Sequence, residues 1–109
     1  MTLASLALAL ALTVTPSFIQ TGWQEVRFDI TLPKTGWVCT GWRYPVSQWF
    51  TDQWPYRKSC RQADSLRFEE TWGGPKYPFP YVGEYVAFVE FEGQRITRPF
   101  RVINTPPGQ

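Results

Sequence analysis

The clearest alternation of apolar and polar residues runs from Glu25 to Leu32. Val26, Phe28, Ile30 and Leu32 fall on one side, and Arg27, Asp29 and Thr31 on the other. A period of two places successive side chains on opposite faces of a strand, so the stretch predicts a sheet with one buried and one wet face. Pro33 ends it. The same period appears earlier, where Leu6, Leu8, Leu10, Leu12 and Val14 alternate with Ala7, Ala9, Ala11, Thr13 and Thr15 up to Pro16. Near the other end, taking Glu92-Gly93 as a two-residue turn sets a hairpin register. Phe91 then faces Gln94, Glu90 faces Arg95, Val89 faces Ile96, Phe88 faces Thr97, Tyr85 faces Phe100 and Glu84 faces Arg101. Apolar pairs gather on one face and opposite charges on the other, and a slip of one residue spoils both sets. Pro99 cannot donate to a ladder, so Arg98-Pro99 marks a bulge or an edge.

The middle of the chain is less regular. Trp37 to Trp42 predicts a third strand, and Leu66 to Glu69 another with Leu66 and Phe68 inward. The segment Ser47 to Gln62 carries turn signals and no clean period. From Trp72 to Tyr81, the prolines at 75, 78 and 80 forbid a regular ladder and predict loop or extended chain.

Leu12-Thr-Val14-Thr-Pro16, followed by Ile19, Gly22, Val26, Phe28 and Ile30, resembles the opening strands of bacterial and viral immunoglobulin-like domains. Gly83-Glu84-Tyr85-Val86-Ala87 is similar to the start of the sixth immunoglobulin strand, where a Tyr two residues before the second Cys position forms a tyrosine corner. The resemblance implies an all-β, antiparallel immunoglobulin-like β-sandwich of about seven strands. It also implies that Trp37 or Trp42 is the core tryptophan of the third strand. Tyr85 is expected to be buried, its hydroxyl bonded to main chain near the preceding corner. Ala87 stands at the second Cys position, so the intersheet disulfide of antibody domains is missing there.

Composition narrows the function. A chain of 109 residues, 43% apolar and 18% charged, with 10 prolines and 8 glycines, fits one folded β-rich domain over residues 1–109. A formal charge of +2 demands neither an anionic polymer nor a membrane surface as partner. The absence of histidine removes the commonest general base and metal ligand. The carboxylates read as surface charge. Ser47, Ser59 and Ser65 have no histidine to activate them, and Cys39 and Cys60 alone cannot complete a zinc site. No enzyme activity, metal or cofactor is expected. Arg57, Lys58 and Arg61 are the only basic cluster, too little for a nucleic-acid groove. Cys39 and Cys60 form either one disulfide, which suits an extracellular setting, or two free thiols.

Residues 1–11 read either as a signal peptide cut after Ala11 or as part of the first strand. The missing positive n-region and the strand period favour the strand, and the run is too short to span a membrane as a helix. Residues 104–109 read as a flexible tail.

The aromatic residues serve either as core or as a recognition face. Val86 and Phe88 fall on the charged side of the hairpin and form, with Trp49, Trp54 and Tyr56, the candidate binding surface. On that basis Phe88→Glu should weaken assembly and leave the monomer folded. Two functions follow. One is a structural domain covering protein subunits of a larger assembly such as a virion, as a decoration or tail-associated protein. The other, placed second, is a secreted or cell-surface bacterial immunoglobulin-like binding domain, for which the exposed aromatics offer carbohydrate as one option among ligands.

Overall fold

The computed structural model describes residues 9–45 and 56–104, and all of their regular structure is strand. The strands are β1 (Ala11–Thr15), β2 (Phe18–Thr21), β3 (Glu25–Thr31), β4 (Gly36–Arg43), β5 (Tyr56–Ala63), β6 (Arg67–Gly73), β7 (Gly83–Phe91) and β8 (Gln94–Asn104). They make a three-stranded sheet, β1-β3-β6, and a five-stranded sheet, β2-β8-β7-β4-β5. The apolar faces of both sheets supply one core. Phe28 of the small sheet and Phe100 of the large one meet edge to face at 6.2 Å.

The alternating segments fold as their period requires. Leu10 and Leu12 are buried beside Val26, Phe28, Ile30 and Leu32, with β1 antiparallel to β3. The β7–β8 hairpin has the predicted register at every pair, from Phe91 opposite Gln94 to Glu84 opposite Arg101. Its turn residues Glu92 and Gly93 have φ of 50° and 81°, as a two-residue type I′ turn needs.

Several expectations are corrected. There are eight strands rather than about seven, and the pairing of β2 with β8 is parallel, so the sheets are not wholly antiparallel. No bulge forms at Pro99, because the ladder passes through it opposite Val86. Counting outward from the turn, this is a non-hydrogen-bonded pair, so the proline nitrogen faces away from β7 and no ladder bond is lost. On that far side β2 pairs only from Arg101 onward. Leu66 is exposed and precedes β6, while its carbonyl accepts the Leu32 N–H at 2.7 Å. Trp72 and Gly73 belong to β6 rather than to the loop that follows. The strand β5 lies inside the stretch that showed no period. Strand β8 continues through Asn104, and residues 105–109 lie outside the described residues. No helix among the described residues is long and apolar enough to cross a membrane.

Candidate functional site

The large sheet is wider than the small one, and this mismatch opens a cleft. On the inward side of β4, Val38, Thr40 and Trp42 are buried, and Arg61, Ser59 and Arg57 of β5 lie directly opposite them in register. These three β5 residues are exposed, because β6 covers only part of this flank. Further along, the layers are clasped: the Thr40 hydroxyl donates to the Glu70 carboxylate, Arg61 Nε stands 3.7 Å from Glu70, and the Arg61 guanidinium lies 4.3 Å from the Phe68 ring centroid. Beyond that clasp a cleft of about 570 Å³ remains, walled by Trp42, Tyr44, Trp72, Tyr77, Arg57 and Lys76, with Thr71 on β6 and Pro78 and Pro80 at its margin.

The segment after β6 closes one side of this cleft, and Phe79 holds it there. Phe79 is fully buried, with ring contacts of 5.1 Å to Trp42, 5.2 Å to Tyr85 and 5.2 Å to Phe100. Its N–H donates to the Gly22 carbonyl at 2.9 Å. A Cβ at Gly22 would stand 1.9 Å from the Phe79 carbonyl oxygen, so only glycine permits this approach. Six residues on, the Tyr85 hydroxyl donates to the Tyr81 carbonyl at 2.8 Å and accepts the Tyr81 N–H at 2.9 Å. Tyr85 itself is fully buried, as expected of a corner tyrosine. Burial pushes its phenol well above the ordinary range, against the smaller opposing effect of the Tyr81 backbone bond. Phe79 and Tyr85 thus tie the second half of the proline-rich loop, and β6 holds its start, which leaves Lys76 and Tyr77 between them at the cleft margin.

The chemistry of the cleft is one-sided. Trp42 Nε1 and Trp72 Nε1 are buried and have no hydrogen-bond partner among the described residues. The two rings stand 6.0 Å apart at 88°, and Tyr44 meets Trp42 at 4.8 Å and 81°. Among the described residues no carboxylate lines the cleft.

The predicted site residues fall elsewhere. Cys39 and Cys60 are joined in a disulfide between directly paired positions of β4 and β5, on the outer face of the large sheet. On the same face Val86 is half-buried and Tyr56 exposed. Phe88, expected to be open to a partner, is only 1% exposed. The Arg95 guanidinium covers it 4.6 Å from the ring centroid, and Tyr56 flanks it edge-on at 6.5 Å. Arg95 is held by Glu90 at 2.9 Å, and Lys58 takes the other Glu90 oxygen at 2.9 Å. The Lys58 hydrogen bond, with Arg95 beside it, keeps the Glu90 carboxyl below the usual range. Trp49 and Trp54 lie outside the described residues. Of the two candidate core tryptophans, Trp42 is buried and Trp37 is 62% exposed. The aromatic wealth of the sequence hinted at the cleft, but Trp72, Lys76 and Tyr77 were not singled out as a set. Comparison of the chain with protein-family models, with curated proteins and with solved structures finds no match in any of the three.

Proposed function

We propose that the chain is a non-catalytic, immunoglobulin-like β-sandwich that binds carbohydrate at the Trp42–Trp72 cleft, in a secreted or cell-surface setting. The observation that carries this reading is a cleft walled by four aromatic side chains, Trp42, Tyr44, Trp72 and Tyr77, with Arg57 and Lys76 beside them. Aromatic faces pack against the C–H faces of sugar rings, and the polar groups at the cleft margin can meet the oxygens around those rings. A volume of about 570 Å³ is in the range of small-ligand sites. The Tyr85–Tyr81 corner and the buried Trp42 support the immunoglobulin-like assignment. The Cys39–Cys60 disulfide is consistent with an oxidising compartment.

The other reading, a cover for a larger assembly such as a virion, drew on Val86 and Phe88 as a free apolar patch. Arg95 and Tyr56 occupy the space above Phe88, which takes the main support from that reading. Calorimetric titration with a panel of neutral and acidic oligosaccharides tests the proposal. Tyr77→Ala should weaken the binding found without lowering stability, because Tyr77 is 66% exposed. A panel without any binder, or a Tyr77→Ala variant that binds as before, would overturn it.

A further inference from the structure

We infer that, granted the saccharide reading of this cleft, the sugar it selects is acidic, with a ring carboxylate bound between Arg57 and Lys76. The two cations are the first ground. Arg27, Lys34, Lys58, Arg61 and Arg95 each stand against a carboxylate. Arg57 and Lys76, like Arg67, Arg98 and Arg101, have no ion pair among the described residues, but these two alone of that group line the cleft, where no described residue supplies an acidic side chain. Lys76 Nζ is kept near the rim by the Tyr77 ring, 5.6 Å from its centroid. Arg57 is fixed by register, directly opposite Trp42 in the β4–β5 ladder. With two cations and no carboxylate of the described residues in the lining, the complement of the site is an anion. A guanidinium fork matches a carboxylate with two parallel hydrogen bonds.

The ring geometry is the second ground, and it separates a sugar from a nucleobase. A flat base is gripped by stacking on an open ring face, best between two parallel ones. The aromatic pairs measured in the wall, Trp42 with Trp72 and Trp42 with Tyr44, are near-perpendicular at 88° and 81°. The closely parallel pair, Tyr85 on Phe100 at 16°, belongs to the core. A wall of mixed faces and edges fits a puckered ring that offers C–H groups on one side and oxygens around its rim.

The test is fluorescence and calorimetric titration of the intact chain with four probes: a galacturonic acid trisaccharide, the neutral galactose trisaccharide of the same linkage, adenosine monophosphate and inorganic phosphate. The uronate should bind at least roughly tenfold more tightly than the neutral sugar, as a charge-assisted pair provides. That preference should shrink as salt is raised, and Arg57→Gln and Lys76→Gln should each narrow it while the melting temperature holds. Equal affinity for the two sugars overturns the selection of acidic sugars and leaves the saccharide reading standing. Binding of neither sugar overturns both. Preference for adenosine monophosphate or phosphate over the uronate overturns the carboxylate assignment.

Discussion

Replacing Tyr85 by Phe removes one oxygen atom and leaves the ring in place, stacked on Phe100 at 5.1 Å with Trp42 and Phe79 at its edges. Two hydrogen bonds disappear, the one donated to the Tyr81 carbonyl and the one accepted from the Tyr81 N–H. Tyr81 is itself exposed, so water can reach part of its backbone after the change. The loss is therefore about 1–2 kcal/mol rather than the full penalty of orphaned buried groups. For a domain of this size that corresponds to a fall of about 5–10 °C in Tm, with the urea m-value unchanged because the fold is kept. A second readout separates the hydroxyl from general packing. Burial holds the Tyr85 proton in the folded state at pH values where the unfolded chain has released it. Stability is thus fully present below the ordinary phenol pKa of about 10 and is lost as pH rises beyond it, a decline that Tyr85→Phe should lessen. The same variant frees one tether of the loop bearing Lys76 and Tyr77, so ligand affinity at the cleft should fall as well. A variant that melts with the wild type and shows the same alkaline decline would refute the corner as a structural tie.

Three further outcomes are expected. Breaking the Cys39–Cys60 bond, which closes a sequence separation of 21, should cost about 3 kcal/mol in the chain-entropy model, checked by urea unfolding of Cys60→Ser; thiol counting by mass before and after reduction checks the bond itself. Phe88→Glu should destabilise the isolated domain by about 3 kcal/mol or more, since it buries a carboxylate beside Glu90 and leaves Arg95 no ring to cover; a normal melting curve would show that the outer face is looser than its packing. Glu90→Gln should flatten the acid side of the stability profile: the Lys58-bonded carboxylate stabilises above the ordinary carboxylate pKa, and that contribution fades as pH falls through its lowered folded value.

Where both faces of a strand have different surroundings, the sequence announced the strand. Val26, Phe28, Ile30 and Leu32 are all buried and the residues between them are not, so alternation was enough to place β3. The hairpin was legible in more detail, because Glu84 with Arg101 and Glu90 with Arg95 sort with opposite charges across the same turn that pairs Val89 with Ile96. Strand β5 escaped notice for the converse reason. It is the edge of the five-stranded sheet and overhangs the three-stranded one, so Arg57, Ser59 and Arg61 face inward in register and yet remain wet. A strand that is polar on both faces carries no period to read, and charged side chains on an edge also guard it against pairing with another chain.

The site was harder to read because it depends on what lies across from each residue. Trp37 and Trp42 are an odd number of positions apart on one strand, so they face opposite ways; with Val38 inward, alternation alone assigns Trp42 to the core. Alternation puts Phe88 on the charged face, where the register confirms it, but says nothing of cover. Opposite it in the ladder is Gly41, which presents no side chain, and Arg95 bends over the ring with its charge still satisfied by Glu90. Long cationic side chains can hide apolar surface in this way. The cleft joins residues from Trp42 to Pro80 through β4, β5, β6 and the loop beyond, and no local pattern encodes that meeting. Its proline-rich segment was read as irregular because it cannot form a ladder. That same stiffness, with Phe79 in the core and Tyr85 bonded behind it, is what keeps Lys76 and Tyr77 beside the indoles of Trp42 and Trp72. A segment that fails every periodic test is therefore the part of this chain that most directly shapes the cleft.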